Sequence, residues 1–284
     1  MYKLAGILFM IILIQCQDQE GLVASITTIL ASQHLNIVSL LEHVDQQDNR
    51  FFIRLEVTQI SDKALLEKEL IEVLPADAVI TINPLPSKKI VVLVTKEYHC
   101  LADILVRNYF STLGATVLAV VGNHATLQNI CSRFDIPFYH ISHEYIDKEF
   151  FEEKIAETIE KYAPDFIVLA KFMRILSPAI VAKFRERIIN IHHSFLPAFI
   201  GASPYRQAFE RGVKLIGATA HFVSNELDEG PIIAQQIIPV NHAFTTIDMV
   251  KAGKEIETSV LAKALKLVFE DRVLVYKNKT VVFE

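Results

Sequence analysis

The spacing of apolar residues changes character once along this chain, and that change constrains the fold more than any other feature. Before it, strands alternate. Phe51 to Val57 places Ile53, Leu55 and Val57 on one face and Arg54 and Glu56 on the other, the period of two of a half-buried antiparallel strand. After it, Lys89 to Thr95 is almost continuously apolar, as in a parallel strand covered on both faces. Between the two patterns stands Asn83-Pro84-Leu85-Pro86-Ser87, a turn-rich linker. The expected domains are residues 1–84 and 88–284, and a chain of 284 residues suits two.

In the first domain the reading is a strand over Leu8 to Ile14, then a helix with Leu22, Ile26, Ile29 and Leu30 in one stripe. A strand over Asn36 to Val44, a turn over Asp45 to Asn49 and the strand Phe51 to Val57 follow. A second helix carries Leu65, Leu66, Leu70, Ile71 and Leu74, and Ala78 to Ile82 closes the unit. This order is that of a ferredoxin-like α+β domain. The run Gly6 to Cys16 also resembles the core of a secretory signal, but it is too short to span a bilayer and runs straight into an amphipathic helix. It is read as a buried strand.

In the second domain, expected strands at Lys89 to Thr95, Thr116 to Val121, Pro137 to Ile141 and Asp165 to Ala170 alternate with helices near Leu101 to Phe110, Leu127 to Phe134 and Phe150 to Tyr162. That alternation predicts an open, mostly parallel Rossmann-like α/β sheet. No G-x-G-x-x-G follows its first strand and no P-loop occurs. A dinucleotide or nucleoside-triphosphate cofactor is unsupported, and no cofactor is expected. The formal net charge of −5 argues against a nucleic-acid partner, and no membrane partner is expected. Three scattered cysteines, Cys16, Cys100 and Cys131, make neither a disulfide framework nor a thiolate zinc site, so a reducing cytoplasm is the expected location.

The chemistry concentrates between Ile188 and Gln235. Residues two apart on a strand share a face, so Asn190 and His192 point one way while Ile189 and Ile191 pack on the other. An amide N–H beside an imidazole at a strand end suits acyl chemistry. The amide stabilises an oxyanion, and an imidazole moves protons near neutral pH. An isolated N-x-H is more often a polar strand end bonded to its neighbours, so its surroundings decide. The loop Phe195 to Tyr205 contains Pro197, Gly201 and Pro204. The strand Ile216 to Val223 carries Thr219 and His221 on one face. The acidic loop Asn225 to Pro231 places Asp228 where a carboxylate orients a histidine, although an Asx-turn is the plainer role for an aspartate there. Thr219, His221 and His193 are expected behind the reacting groups. His99 and His124 follow strand ends near the pocket and are given no catalytic role. No H-x-x-x-H spacing occurs on a helix, and no metal is expected.

The run INIHHSFLPAFIGASPYRQAFERGVKLIGATAHFVSNELDEGPIIAQ resembles the signature of folate-dependent formyl transfer and hydrolysis enzymes. KFMRILSPAIV, Lys171 to Val181, is similar to their folate-binding segment. The resemblance implies that Asn190, His192 and Asp228 are catalytic. It implies that Met173, Arg174, Ile175 and Leu176 line a pterin pocket closed by Val223, Ser224 and Leu227. Three features are similar to the deformylase branch. Asp18-Gln19-Glu20-Gly21-Leu22-Val23 resembles the opening of an ACT domain. The loop Lys96 to Leu101 has no glycine with which to hold a phosphate. Glu270 to Phe283 looks like the deformylase ending. Arg206, Ile200 and Gln17 depart from the usual deformylase residues His, Pro and Pro, and none is a catalytic position.

What this branch implies is hydrolysis of 10-formyltetrahydrofolate, at a linear amide C–N bond, to formate and tetrahydrofolate. Such an enzyme balances one-carbon pools and supplies formate for purine biosynthesis. Its ACT-like domain implies an amino-acid effector, and the open edges of a small sheet suit a homo-oligomer. The alternatives are a folate-dependent formyltransferase such as glycinamide ribonucleotide formyltransferase, and an amino-acid sensor without catalysis. The joint presence of Asn190, His192 and Asp228 speaks against the second.

Overall fold

The computed structural model describes residues 9–58, 62–83, 87–197 and 204–284. They form two compact units. One gathers the described residues before Ser87 with Glu270–Leu274 and Val281–Glu284, and the other is Ser87–Phe269 with Val275–Thr280. The expected linker residues 84–86 and Leu8 lie outside the described residues.

The first unit runs β1 (Phe9–Gln17), α1 (Leu22–Ser32), β2 (Asn36–Asp45), β3 (Arg50–Thr58), α2 (Lys63–Val73) and β4 (Val79–Asn83). Its antiparallel sheet has the order β2-β3-β1-β4, the ferredoxin-like arrangement expected from the element order. β1 continues to Gln17, past the expected end at Ile14, because Gln15, Cys16 and Gln17 still pair with Phe52, Phe51 and Arg50. Leu22, Ile26 and Leu30 of α1 and Leu66, Leu70 and Leu74 from α2 and its end enter one core with Ile12, Ile14, Ile53 and Leu55.

Two expectations here are corrected. The helix stripe is narrower than read: Leu65 and Ile71 are exposed, and only Leu66, Leu70 and Leu74 face inward. β3 is buried on both faces, not one, since Phe52 and Arg54 are as inaccessible as Ile53 and Leu55. Arg54 is covered by the returning C-terminal segment. Its guanidinium donates to the carbonyls of Asp271 and Glu270 at 3.0 and 3.1 Å, which satisfies a cation that would otherwise be costly to bury.

The second unit contains β5 (Lys88–Val94), α3 (His99–Tyr109), β6 (Ala115–Gly122), α4 (Gln128–Arg133), β7 (Phe138–His140), α5 (Lys148–Tyr162), β8 (Phe166–Leu169), α6 (Pro178–Lys183), β9 (Ile188–His192), α7 (Pro204–Arg211), β10 (Leu215–Phe222), β11 (Ile232–Pro239) and α8 (Thr246–Phe269). A hairpin of β12 (Val273–Tyr276) and β13 (Lys279–Val282) follows. The seven-stranded sheet has the order β11-β10-β9-β8-β5-β6-β7. β7, β6, β5, β8 and β9 pair in parallel, while β10 is antiparallel to both β9 and β11. The strand order reverses between β5 and β8, a position where open α/β sheets leave a crevice for ligands.

Tyr205 belongs to α7, not to the loop expected to run from Phe195. Residues 198–203 of that loop, Ile200 among them, lie outside the described residues. Arg206 is exposed and pairs with Glu210 within α7. No helix among the described residues is long and apolar enough to cross a membrane.

Candidate active site

The antiparallel pairing of β9 with β10 sets the centre of the site. Asn190 lies opposite His221 and His192 opposite Thr219. Residues directly opposite share a sheet face, as do residues two apart, so these four side chains form one block. The Asn190 amide donates to His221 Nε2 at 3.2 Å, and His221 Nδ1–H donates to the Phe222 carbonyl at 2.8 Å. This network assigns the imidazole's single proton to Nδ1. Burial pushes His221 below the ordinary imidazole value.

Asp228 reaches this block from the β10–β11 connection. Gly230 lets that connection fold tightly back, because a Cβ there would collide with the carbonyl oxygen of Phe222. Asp228 itself takes a left-handed backbone, φ 57°, which Asp tolerates better than most residues. Its Oδ2 lies 3.3 Å from His192 Nδ1, and its Oδ1 lies 3.8 Å from His221 Nε2. Burial raises the Asp228 carboxyl, but the His192 hydrogen bond and the neighbouring imidazoles outweigh it and hold the group below its usual value. His192 Nε2, on the far side of the ring, is buried without a hydrogen-bond partner among the described residues.

A cleft of about 320 Å³ opens against this block. Its walls include Asn190, His192, His193, His221 and Asp228, the segment Met173–Leu176, and Val223, Ser224 and Leu227. All the residues assigned to the site from sequence line it except Thr219, and His99 and His124, expected near the pocket, are not among its walls. The Thr219 hydroxyl works beneath the next loop instead, donating to the Ser194 carbonyl and accepting from Leu196 N–H and Gln235. The segment Met173–Leu176 is pinned at both ends. Met173 N–H donates to Thr95 Oγ1 at 2.9 Å, and Ser177 N–H donates to the buried Glu152 at 2.8 Å. Met173, Ile175 and Leu227 leave 54%, 61% and 50% of their surface exposed. Such apolar rims mark a ligand site better than scattered surface residues do.

His193 is half-buried and lies against His192, with ring centroids 5.1 Å apart. Burial, then the Lys171 and His192 charges, push it down to about 4, so it is neutral across the working range. Of the remaining wall residues, Lys171 and Phe172 belong to the segment expected to bind folate and Asn225 and Glu226 to the loop expected to close the pocket, while Leu169 and Ile191 were not placed there from sequence. Also missed was Glu257 on α8, 1% exposed. Its signal was present: Ile256, Val260, Leu261 and Ala264 repeat at helical spacing, and Glu257 lies inside their apolar stripe. His99, Cys100 and Glu257 place possible ligand atoms within 4.8 Å of one another, but Lys171 and Tyr205 already bond the carboxylate.

Both parts of the chain resemble known proteins. Residues 88–265 match the formyl transferase family model and residues 10–73 the ACT domain model. The chain is 50% identical to formyltetrahydrofolate deformylase of Haemophilus influenzae, over 96% of this chain and 98% of that protein. The crystal structure of a formyltetrahydrofolate deformylase from Pseudomonas syringae superposes with a TM-score of 0.93 at 38% identity, covering 99% of this chain and 96% of that one. A glycinamide ribonucleotide transformylase from Symbiobacterium toebii reaches a TM-score of 0.67 at 30% identity, covering 70% of this chain and 95% of its own.

Proposed function

The chain belongs to the formyltetrahydrofolate deformylase family, and from that premise we propose how its residues hydrolyse 10-formyltetrahydrofolate to formate and tetrahydrofolate. The observation that carries the reading is the His192–Asp228 pair, 3.3 Å apart, beside Asn190 in one cleft. With Nδ1–H directed at the Asp228 carboxylate, His192 Nε2 carries the lone pair, and the residue lines the cleft. It takes a proton from water as the water oxygen attacks the formyl carbon. Asp228 stabilises the imidazolium that forms. The Asn190 amide has two N–H groups, and the one not given to His221 supports the oxyanion. Collapse of the tetrahedral intermediate breaks the C–N bond as His192 Nε2–H returns the proton to the leaving nitrogen. These steps involve no redox change, and in this reading no resident cofactor or metal takes part.

The apolar wall of Met173, Ile175, Leu176, Val223 and Leu227 would pack against the flat pterin, with Arg174 and Ser224 at the rim. The domain over residues 88–284 is the catalytic one in this reading, and residues 1–84 form a regulatory and oligomerisation domain. Its ACT match suits an amino-acid effector and a homo-oligomer, and the enzyme would work in the cytoplasm on a folate.

The test is direct. Purified protein is mixed with 10-formyltetrahydrofolate and no acceptor, and formate and tetrahydrofolate are assayed together. Equal release of both is expected. No release until glycinamide ribonucleotide is added would move the chain to the transferases.

A further inference from the structure

Behind the cleft wall formed by Lys171 and His193 lies a second group of ionisable side chains that the hydrolysis does not use. Three donors converge on the buried Glu257 carboxylate. His99 Nε2 lies 2.8 Å and Lys171 Nζ 3.1 Å from Oε2, and the Tyr205 hydroxyl donates to Oε1 at 2.7 Å. Burial raises this carboxyl, but the His99 hydrogen bond, the Lys171 charge and the Tyr205 hydrogen bond overcome it and hold the group down to about 2. Lys171 sits in a left-handed backbone, φ 61°, strained for a long side chain. Gly253, one helical turn before Glu257, makes room for Tyr205, since a Cβ there would collide with the phenol ring.

The group touches the reaction centre through rings. Tyr205 meets His193 edge-on with centroids 6.2 Å apart, and His193 lies against His192. Replacing a buried ion pair by apolar residues of equal volume is often neutral or stabilising, so stability alone gives no reason for this one.

We propose that Glu257 is a positioning residue of the hydrolysis: by holding Lys171 and Tyr205 it fixes His193 against His192 and balances the Lys171 ammonium in the cleft wall. Charge changes on the protein during turnover are then confined to His192, with Asp228 staying ionised beside it. This rests on the hydrolase reading above. The charged and titratable groups around the two imidazoles are Asp228 and His221 from β10 and its following loop, Lys171 after β8, Tyr205 on α7, and Glu257 on α8. His99 and Cys100 on α3 lie behind them, with Glu97 and Lys254 forming an outer pair at 2.7 Å.

The test is a pH series of kcat and KM for 10-formyltetrahydrofolate hydrolysis by the full chain. It compares wild type with Lys171→Met, Glu257→Gln, the double variant and Tyr205→Phe. Each single variant should lower kcat, by up to on the order of a hundredfold as His193 loosens, with KM changed far less. Glu257→Gln leaves an uncompensated ammonium, which disfavours imidazolium and moves the acid limb to lower pH. Lys171→Met leaves a less compensated carboxylate and moves it to higher pH. The limbs of the two single variants are expected to move in opposite directions. The double variant should return the limb close to wild type, an outcome that simple loss of packing does not produce. If Glu257→Gln does not fold, Lys171→Met and Tyr205→Phe carry the test. Wild-type kcat and an unmoved limb in folded Lys171→Met and Tyr205→Phe would overturn the proposal. An inactive wild type would instead overturn the hydrolase reading.

Discussion

Replacing Asp228 with Asn removes one charge while changing little else. The left-handed backbone at φ 57° is one that Asn adopts as readily as Asp, so the loop keeps its path. The side-chain volume is unchanged. What disappears is a carboxylate 3.3 Å from His192 Nδ1. At an effective dielectric of about 20, two unit charges at that distance interact by about 5 kcal/mol. The charge on His192 exists only after it has taken the proton from water, so the loss falls on the transition state and not on substrate binding. The Asn oxygen can still accept from Nδ1–H, which returns about 1 kcal/mol. The remaining 4 kcal/mol or so corresponds to a fall in kcat of about a thousandfold, at roughly a factor of ten per 1.4 kcal/mol. Steady-state formate release measures kcat and KM, and thermal unfolding verifies the fold. A folded Asp228→Asn variant with kcat within tenfold of wild type would refute the assignment of Asp228 as the partner of a charged His192.

The other expectations follow from the same geometry. His192→Ala should lower turnover by several orders of magnitude, with circular dichroism and melting unchanged in form; near wild-type turnover would remove His192 from the mechanism. Acid stability should fall in two windows. His193, depressed from 6.5 to about 4, binds its proton more readily when unfolded, so stability is lost as pH falls through that interval. Glu257, depressed from 4.5 to about 2, contributes stability above pH 4.5 that is lost toward pH 2. Urea unfolding against pH should therefore show His193→Asn flattening the upper window and leaving the lower one. Gly253→Ala should destabilise by about 1–3 kcal/mol, as overpacking does, and lower kcat because Tyr205 must move. An unchanged melting temperature would show that the ring has space to spare.

Legibility in the sequence followed the range of the interactions involved. The ferredoxin-like order of the first unit could be read because alternation at Ile53, Leu55 and Val57 is a local consequence of pleating. The second face of β3 could not, because what covers Arg54 comes from residues 270 and 271. The parallel strands announced themselves as apolar runs, while the antiparallel placement of β10 left no local trace: its residues read the same in either direction. The Asn190–His192 face needed only the period of two. That His221 would stand opposite Asn190 and His192 opposite Thr219 required the register of a second strand. Thr219 shows the limit of that reasoning, since its hydroxyl serves the loop at Ser194 and Leu196 and not the imidazole across from it. Glu257 went unnoticed for another reason. A carboxylate within an apolar stripe looks like an interruption of the pattern until its three donors, drawn from three separate segments, are in view.

The partners of Arg54 carry a consequence for biosynthesis. The guanidinium and the carbonyls that satisfy it are separated by 216 and 217 residues along the chain, so the donor leaves the ribosome long before its acceptors exist. Until then Arg54 has Glu56 of the same strand, 3.5 Å away, but not the two carbonyls, and a guanidinium buried with N–H groups unmatched costs more than marginal domains can spare. That face of β3 is accordingly completed long after its own synthesis, and vectorial synthesis does not set the order in which the two units mature.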